Sequence, residues 1–145
     1  MERGVYLDNA ATTWPKPESV YRAVDRFARE VGGNPGRSGH RRSLEAGREL
    51  LRCRESLARL LGIGDPSRIV FTRNATEALN IALAGLITPG SHVLISSVEH
   101  NSVWRPVHHL CRERGASYDL IPCEKDGRLD LAAAAGLIRP ETKLL

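Results

Sequence analysis

The twenty residues Arg68–Ile87, RIVFTRNATEALNIALAGLI, decide how this chain is read. RIVF is a short apolar run suited to a buried strand, and a strongly apolar helical pattern, ATEALNIALAGLI, begins almost at once behind it. Asn74 is a good N-cap and Glu77 follows three residues later, the spacing of a capping box. A helix that starts this way offers free N–H groups and the positive end of its dipole, and Thr76 adds a hydroxyl in the first turn. Together these can hold a phosphate dianion without a glycine-rich loop. Taken alone, the stretch is more economically read as a capped, buried helix with no ligand.

The same alternation extends in both directions. Upstream, Val20, Tyr21, Val24, Phe27, Ala28 and Val31 recur at helical spacing behind Pro17, which suits a first helical position, and the pattern stops at Gly32-Gly33. NPGRSGHRR is a loop, and Ser43 can cap a second helix that carries Leu44, Gly47, Leu51, Ala58 and Leu61 on one side and ends at Gly62 or Gly64. Downstream come a strand at HVLISS, a helix at NSVWRPVHHLCRERG with Pro106 tolerable only in its first turn, a strand at SYDLIP and a turn at KDGR. A short helix capped by Asp130 and a last strand at TKLL follow. Apolar strands alternating with helices predict an α/β fold, a mostly parallel sheet covered by helices on both faces. Ligands in such sheets sit at the carboxyl ends of strands, which selects the loops 72–76, 96–101 and 122–127.

Composition limits the alternatives. A length of 145 residues and a hydrophobic fraction of 41% suit one globular domain with a core. No apolar run is long enough to suggest a membrane span, and the N-terminus has no signal-peptide pattern, so a cytoplasmic location is expected. The net charge of +4 rests mostly on arginine, with only Lys16, Lys125 and Lys143 as lysines. Aromatic residues do not interleave with the charges, so no nucleic-acid partner is expected. Cys53, Cys111 and Cys123 have no disulfide or zinc spacing, and Cys53 and Cys111 read as small buried hydrophobes.

Three further stretches can carry chemistry. Glu99 and His100 fall just past a strand end, where a histidine can stack on a planar ligand or act as acid or base. YLDNAATT, at the start, is small and extended and would let a backbone approach a ligand closely. His40, with Arg37, Arg41 and Arg42, can attract a carboxylate. Each is also readable as an idle loop. His108-His109 lacks the i, i+4 spacing of a two-histidine metal site, and no metal site is predicted.

YLDNAATTWPKPESV, GGNPGRSGHRRSLEA, IVFTRNATEALNIAL and ISSVEHNSVWRP, in that order, resemble the N-terminal part of class V aminotransferase-type enzymes, nearest to the cysteine desulfurase and selenocysteine lyase-like group. The resemblance implies a fold-type-I scaffold, pyridoxal 5'-phosphate as cofactor and a homodimer. It also implies conversion of L-cysteine to L-alanine with the sulfur carried as an enzyme persulfide, in the service of iron–sulfur cluster assembly, and a sulfur-acceptor protein as partner. Cysteine or selenocysteine would be the substrate. By the same resemblance Ala75 and Thr76 match the phosphate-binding pair, and His100 matches the histidine that lies against the cofactor ring and assists proton transfer. Asn9, Ala10 and Ala11 match the strip edging the substrate pocket, and His40 matches a loop histidine near its entrance. Residues 1–16 would be an arm at the active-site edge and residues 17–145 an incomplete cofactor-binding large domain, without the C-terminal small domain.

Members of this family are much longer. None of the three lysines matches the family's S-x-H-K-type context for the cofactor-bearing lysine, and none of the three cysteines matches the sulfur-accepting one. The aspartate that pairs with the pyridine nitrogen and the carboxylate-binding arginine have no counterpart in this stretch. The expectation is a truncated chain, inactive alone. Its strand at 68–71 would be parted from those near 92–96 and 117–122 by strands outside this sequence, leaving exposed sheet edges. Another class V activity (selenocysteine lyase, aminotransferase or epimerase) and a non-catalytic phosphate-binding or interaction module are the alternatives.

Overall fold

A computed structural model describes residues 4–10 and 12–145. The chain divides into two compact units, Met1–Val70 and Phe71–Leu145.

In the first unit, helix α1 (Glu18–Arg26) starts one residue later than expected, with Pro17 as its N-cap, and passes into a π-helical turn, Phe27–Val31. Gly32, at φ 51°, ends it. Gly33 follows where a Cβ would stand 2.5 Å from the Arg42 carbonyl oxygen, so no larger residue fits. Helix α2 (Arg41–Leu61) is capped by His40, whose side chain accepts from the Ser43 N–H, and not by Ser43 as expected. Ser43 lies in the first turn, buried, and its hydroxyl donates to the Asn34 carbonyl at 2.8 Å. Gly62 at φ 68° closes α2, and the Ile63 N–H reaches back to the Ala58 carbonyl.

Three expectations fail in this unit. The apolar stripes of α1 and α2 are not buried: Val24 is 65% exposed and Leu51 50%, and only Val31, Ser43, Ala46 and Ala58 are buried in the helical segments. Cys53 is exposed, not a core residue. RIVF is also not a buried strand. After a single 3-10 turn (Pro66–Arg68), Ile69 is extended but no strand forms there among the described residues, and Val70 is 72% exposed. A strand exists only through the ladder it shares with a neighbour, and apolar composition cannot supply that neighbour.

The second unit carries the α/β architecture. It runs α3 (Ala75–Leu86), β1 (His92–Ser96), α4 (Asn101–Arg114), β2 (Ser117–Ile121), α5 (Leu131–Leu137) and β3 (Thr142–Leu144). The strands form a parallel sheet in the order β2-β1-β3. Successive side chains of β1 point to opposite faces. Val93 and Ile95 pack with Leu83 and Ile87 at the end of α3 and with Val107, Leu110 and Cys111 of α4. Leu94 and Ile121 pack with Ala134 of α5 on the other side. Helices therefore cover both faces, as the alternation predicted. Arg114 ties the ends of α3 and α4 together, donating to the Ala84 and Ile87 carbonyls at 2.6 Å each. Pro106 lies in the second turn of α4, beyond its expected limit, and forgoes one bond of the helical ladder.

A polar cluster joins the three strands. His92, 1% exposed, places Nδ1 2.8 Å from the Thr142 hydroxyl and Nε2 3.2 Å from the Asp119 carboxylate. Arg139 also bonds Asp119, and its backbone N–H donates to the Thr142 hydroxyl. Asp119 can only accept, so a neutral His92 carries its hydrogen on Nε2 and Thr142 donates to Nδ1. β3 meets β1 through an irregular register, His92 opposite Thr142 and Val93 opposite Leu144, with Lys143 as the extra residue.

Candidate functional site

The start of α3 is built as the sequence indicated. Asn74 is the N-cap, and its Oδ1 accepts from the Glu77 N–H at 2.9 Å. The capping box closes differently, because the Glu77 carboxylate takes the N–H of Arg73, one residue before the cap, at 2.7 Å and pairs with the Arg73 guanidinium. Those bonds from Arg73 hold Glu77 below the usual carboxylate range, the backbone one foremost. With the Glu77 N–H taken by the cap and the Ala78 N–H by the Asn74 carbonyl, the amides of Ala75 and Thr76 and the Thr76 hydroxyl have no partner among the described residues. That donor set fits a phosphate.

His100 is the N-cap of α4. Its Nδ1 accepts from the Ser102 N–H at 3.1 Å, and the Ser102 hydroxyl lies 2.9 Å from the same nitrogen. The structure brings Thr76 and His100 to one groove of about 490 Å³. Its walls repeat every four residues, Thr76, Asn80 and Ala84 on α3 and Asn101, Arg105 and His109 on α4, so two helical faces line it. Of the further lining residues, Asn80 is legible from sequence through its i+4 spacing from Thr76, whereas Ser102 and Arg105 stand two and five residues from His100 and carry no such signal.

The remaining expected residues lie in the first unit. Asn9 shapes a local turn, donating to the Tyr6 carbonyl and accepting from the Trp14 N–H. Ala10 is exposed in that turn, and Ala11 lies outside the described residues. His40 caps α2 through Nδ1. Of the arginines beside it, Arg41 pairs with Glu45 and Arg42 donates to the Val31 carbonyl. Lys16 donates to the Thr13 carbonyl. His108 packs on the outside of α4, stacked on Trp104 and 3.1 Å from the Tyr118 hydroxyl.

The second unit thus sets a parallel sheet between helices, with the N-terminal turn of α3 and the capping histidine of α4 beside one groove. The aminotransferase class-V family model matches residues 5–145, and the chain belongs to that family. Its relatives are cysteine desulfurases. It is 36% identical to the cysteine desulfurase IscS of Dictyoglomus turgidum, over 100% of this chain and 37% of that one. It is 38% identical to a probable cysteine desulfurase of Halobacterium salinarum, over 97% of this chain and 35% of that one. Among solved structures, the apo cysteine desulfurase of Thermococcus onnurineus matches with a TM-score of 0.82 and 30% identity, covering 91% of this chain and 33% of its own. A NifS-like protein matches at 0.83 and 30%, covering 95% and 38%. The chain thus spans little more than a third of the length of the curated relatives it matches. Among the described residues, no helix is long and apolar enough to cross a membrane.

Proposed function

We propose that this chain is the N-terminal, cofactor-phosphate-binding portion of a pyridoxal-phosphate-dependent cysteine desulfurase, whose whole converts L-cysteine to L-alanine and retains the sulfur as an enzyme persulfide. The observation that carries this is the pair of amides at Ala75 and Thr76 that the Asn74 cap leaves open, with Thr76 on the groove that His100 also lines. The cofactor, when bound, supplies the electron sink for bond changes at the amino acid. Ala75 and Thr76 would hold its phosphate through two amides and one hydroxyl. His100 would lie beside its ring and hold or pass a proton at Nε2. Asn9, Ala10 and Ala11 would edge the substrate pocket and His40 its entrance, with residues 1–16 as the arm and 17–145 as part of the large domain.

A cytoplasmic homodimer that passes sulfur to an acceptor protein for iron–sulfur assembly completes the proposal. The exposed apolar faces of α1 and α2 support the dimer, since Val24, Leu44 and Leu51 are each at least half exposed. Phosphorus NMR of pyridoxal phosphate titrated with the chain tests the phosphate role: the resonance shifts with the native chain and not with Thr76→Val. No shift with the native chain, or an equal one with the variant, overturns it. Fusing the chain to the remaining two thirds of the Dictyoglomus relative tests the chemistry. Alanine formed from cysteine supports the desulfurase, and turnover of selenocysteine alone favours the lyase.

A further inference from the structure

We infer that Ser102 is a positioning residue that fixes His100 with its hydrogen on Nε2, so that the ring offers the groove a donor and no lone pair. Only the functional consequence of this rests on the proposed cofactor site; the tautomer itself follows from the geometry. An imidazole nitrogen carries in the ring plane either a hydrogen or a lone pair. The Ser102 backbone N–H can only donate, and it meets His100 Nδ1 at 3.1 Å. Nδ1 is therefore bare, and the Ser102 hydroxyl, 2.9 Å from the same nitrogen, donates to it as well. A neutral ring with a bare Nδ1 carries its hydrogen on Nε2. That nitrogen lies across the ring from the helix and has no partner among the described residues, while His100 lines the groove.

The chain contains its own control. His40 also caps a helix through Nδ1, which accepts from the Ser43 N–H at 3.2 Å, although Ser43 is the third residue of α2 and Ser102 the second of α4. There the serine hydroxyl is turned away to the Asn34 carbonyl, so His40 has one donor where His100 has two. The second donor is what distinguishes the groove histidine. The ligand atom opposite Nε2 is then an acceptor, an oxyanion or a carbonyl oxygen. Neutral His100 offers that acceptor a hydrogen bond from Nε2–H, and only a ring protonated on both nitrogens can give it the proton. To take a proton, the neutral ring must place a hydrogen on Nδ1 against two donors and give up the α4 cap.

Long-range proton–nitrogen NMR of the imidazoles, at about pH 8 where an ordinary histidine is neutral, tests this on the full chain. The native protein and Ser102→Thr should show His100 with a bare Nδ1, a protonated Nε2 and a wide separation between their nitrogen shifts. Ser102→Ala should narrow that separation. Ser102→Pro, which removes both donors at a helix position that tolerates proline, should narrow it further, with His40 unchanged throughout. A protonated Nδ1 in the native protein, or an unchanged separation in Ser102→Ala, overturns the inference. If Ser102→Pro unfolds α4, the alanine and threonine variants decide alone. No cofactor is needed, so a failed pyridoxal phosphate titration with the separation intact would sink the proposed site and leave this tautomer standing.

Discussion

Replacing Asn74 by alanine and by aspartate separates a helix cap from a phosphate cradle. In Asn74→Ala the Glu77 N–H loses the bond now made at 2.9 Å, while the Arg73–Glu77 clasp is untouched. Loss of a good cap costs about 1 kcal/mol, within a range of roughly 0.5–2. Asn74→Asp keeps the cap and adds a favourable charge at the dipole, so stability should hold or rise by a few tenths of a kcal/mol. The two variants differ in what they do to an anion on the Ala75 and Thr76 amides. Unit charges roughly 5 Å apart repel by about 0.8 kcal/mol in water and by about 3 kcal/mol at an effective dielectric near 20. Aspartate should therefore weaken phosphate binding by about fourfold to a few hundredfold per unit charge. Urea denaturation gives the stability and phosphorus NMR of pyridoxal phosphate gives the affinity. If Asn74→Asp binds as tightly as the native chain, no anion sits on these amides and the start of α3 is only a cap.

Three further outcomes follow from the same structure. Ile87, 0% exposed between α3 and the sheet, should cost about 2–5 kcal/mol when cut to alanine, read as a lower urea midpoint with an unchanged slope. Iodoacetamide should label exposed Cys53 quickly and Cys111 slowly, because burial at 3% exposure raises the Cys111 thiol above its ordinary range; equal rates would contradict that burial. Glu77 is held below the ordinary glutamate value of about 4.3. Its contribution at the α3 start is thus fully present above that pH and fades as pH falls through the lower folded value. Amide exchange at Arg73 and Glu77 followed down the acid range should show it, and Glu77→Gln should remove the dependence.

What could be read from sequence was what neighbours along the chain decide. The Asn74 and Asp130 caps, the glycine stops at Gly62 and Gly115 and the apolar run of β1 depend on residues within a few positions, and all stand as expected. Errors arose where a distant partner or an unusual donor decides. RIVF has strand composition and no ladder. His40 and His100 act as N-caps, a task for which serine, threonine, asparagine and aspartate are the preferred residues, so sequence alone favours Ser43 over His40. The α1 stripe has helical period, but period alone does not say what covers it. The bonds of His92 span 27 and 50 residues, and a single sequence gives no sign of them. At the site, Thr76 and His100 were each legible as local features, and their meeting on one groove required the packing of α3 against α4.

The His92 cluster makes the two ends of the sheet mechanically unequal. Where the strands begin, one imidazole, one carboxylate, one hydroxyl and one guanidinium lock β1, β2 and the approach to β3 with directional bonds that fail if the strands slide. Where they finish, β1 and β2 are joined by the backbone, the Ser97 N–H donating to the Ile121 carbonyl at 3.0 Å, among apolar side chains such as Ile95 and Ile121. The register of the three strands is thus written in side chains at the end away from His100, and in backbone bonds and apolar packing at the end beside it.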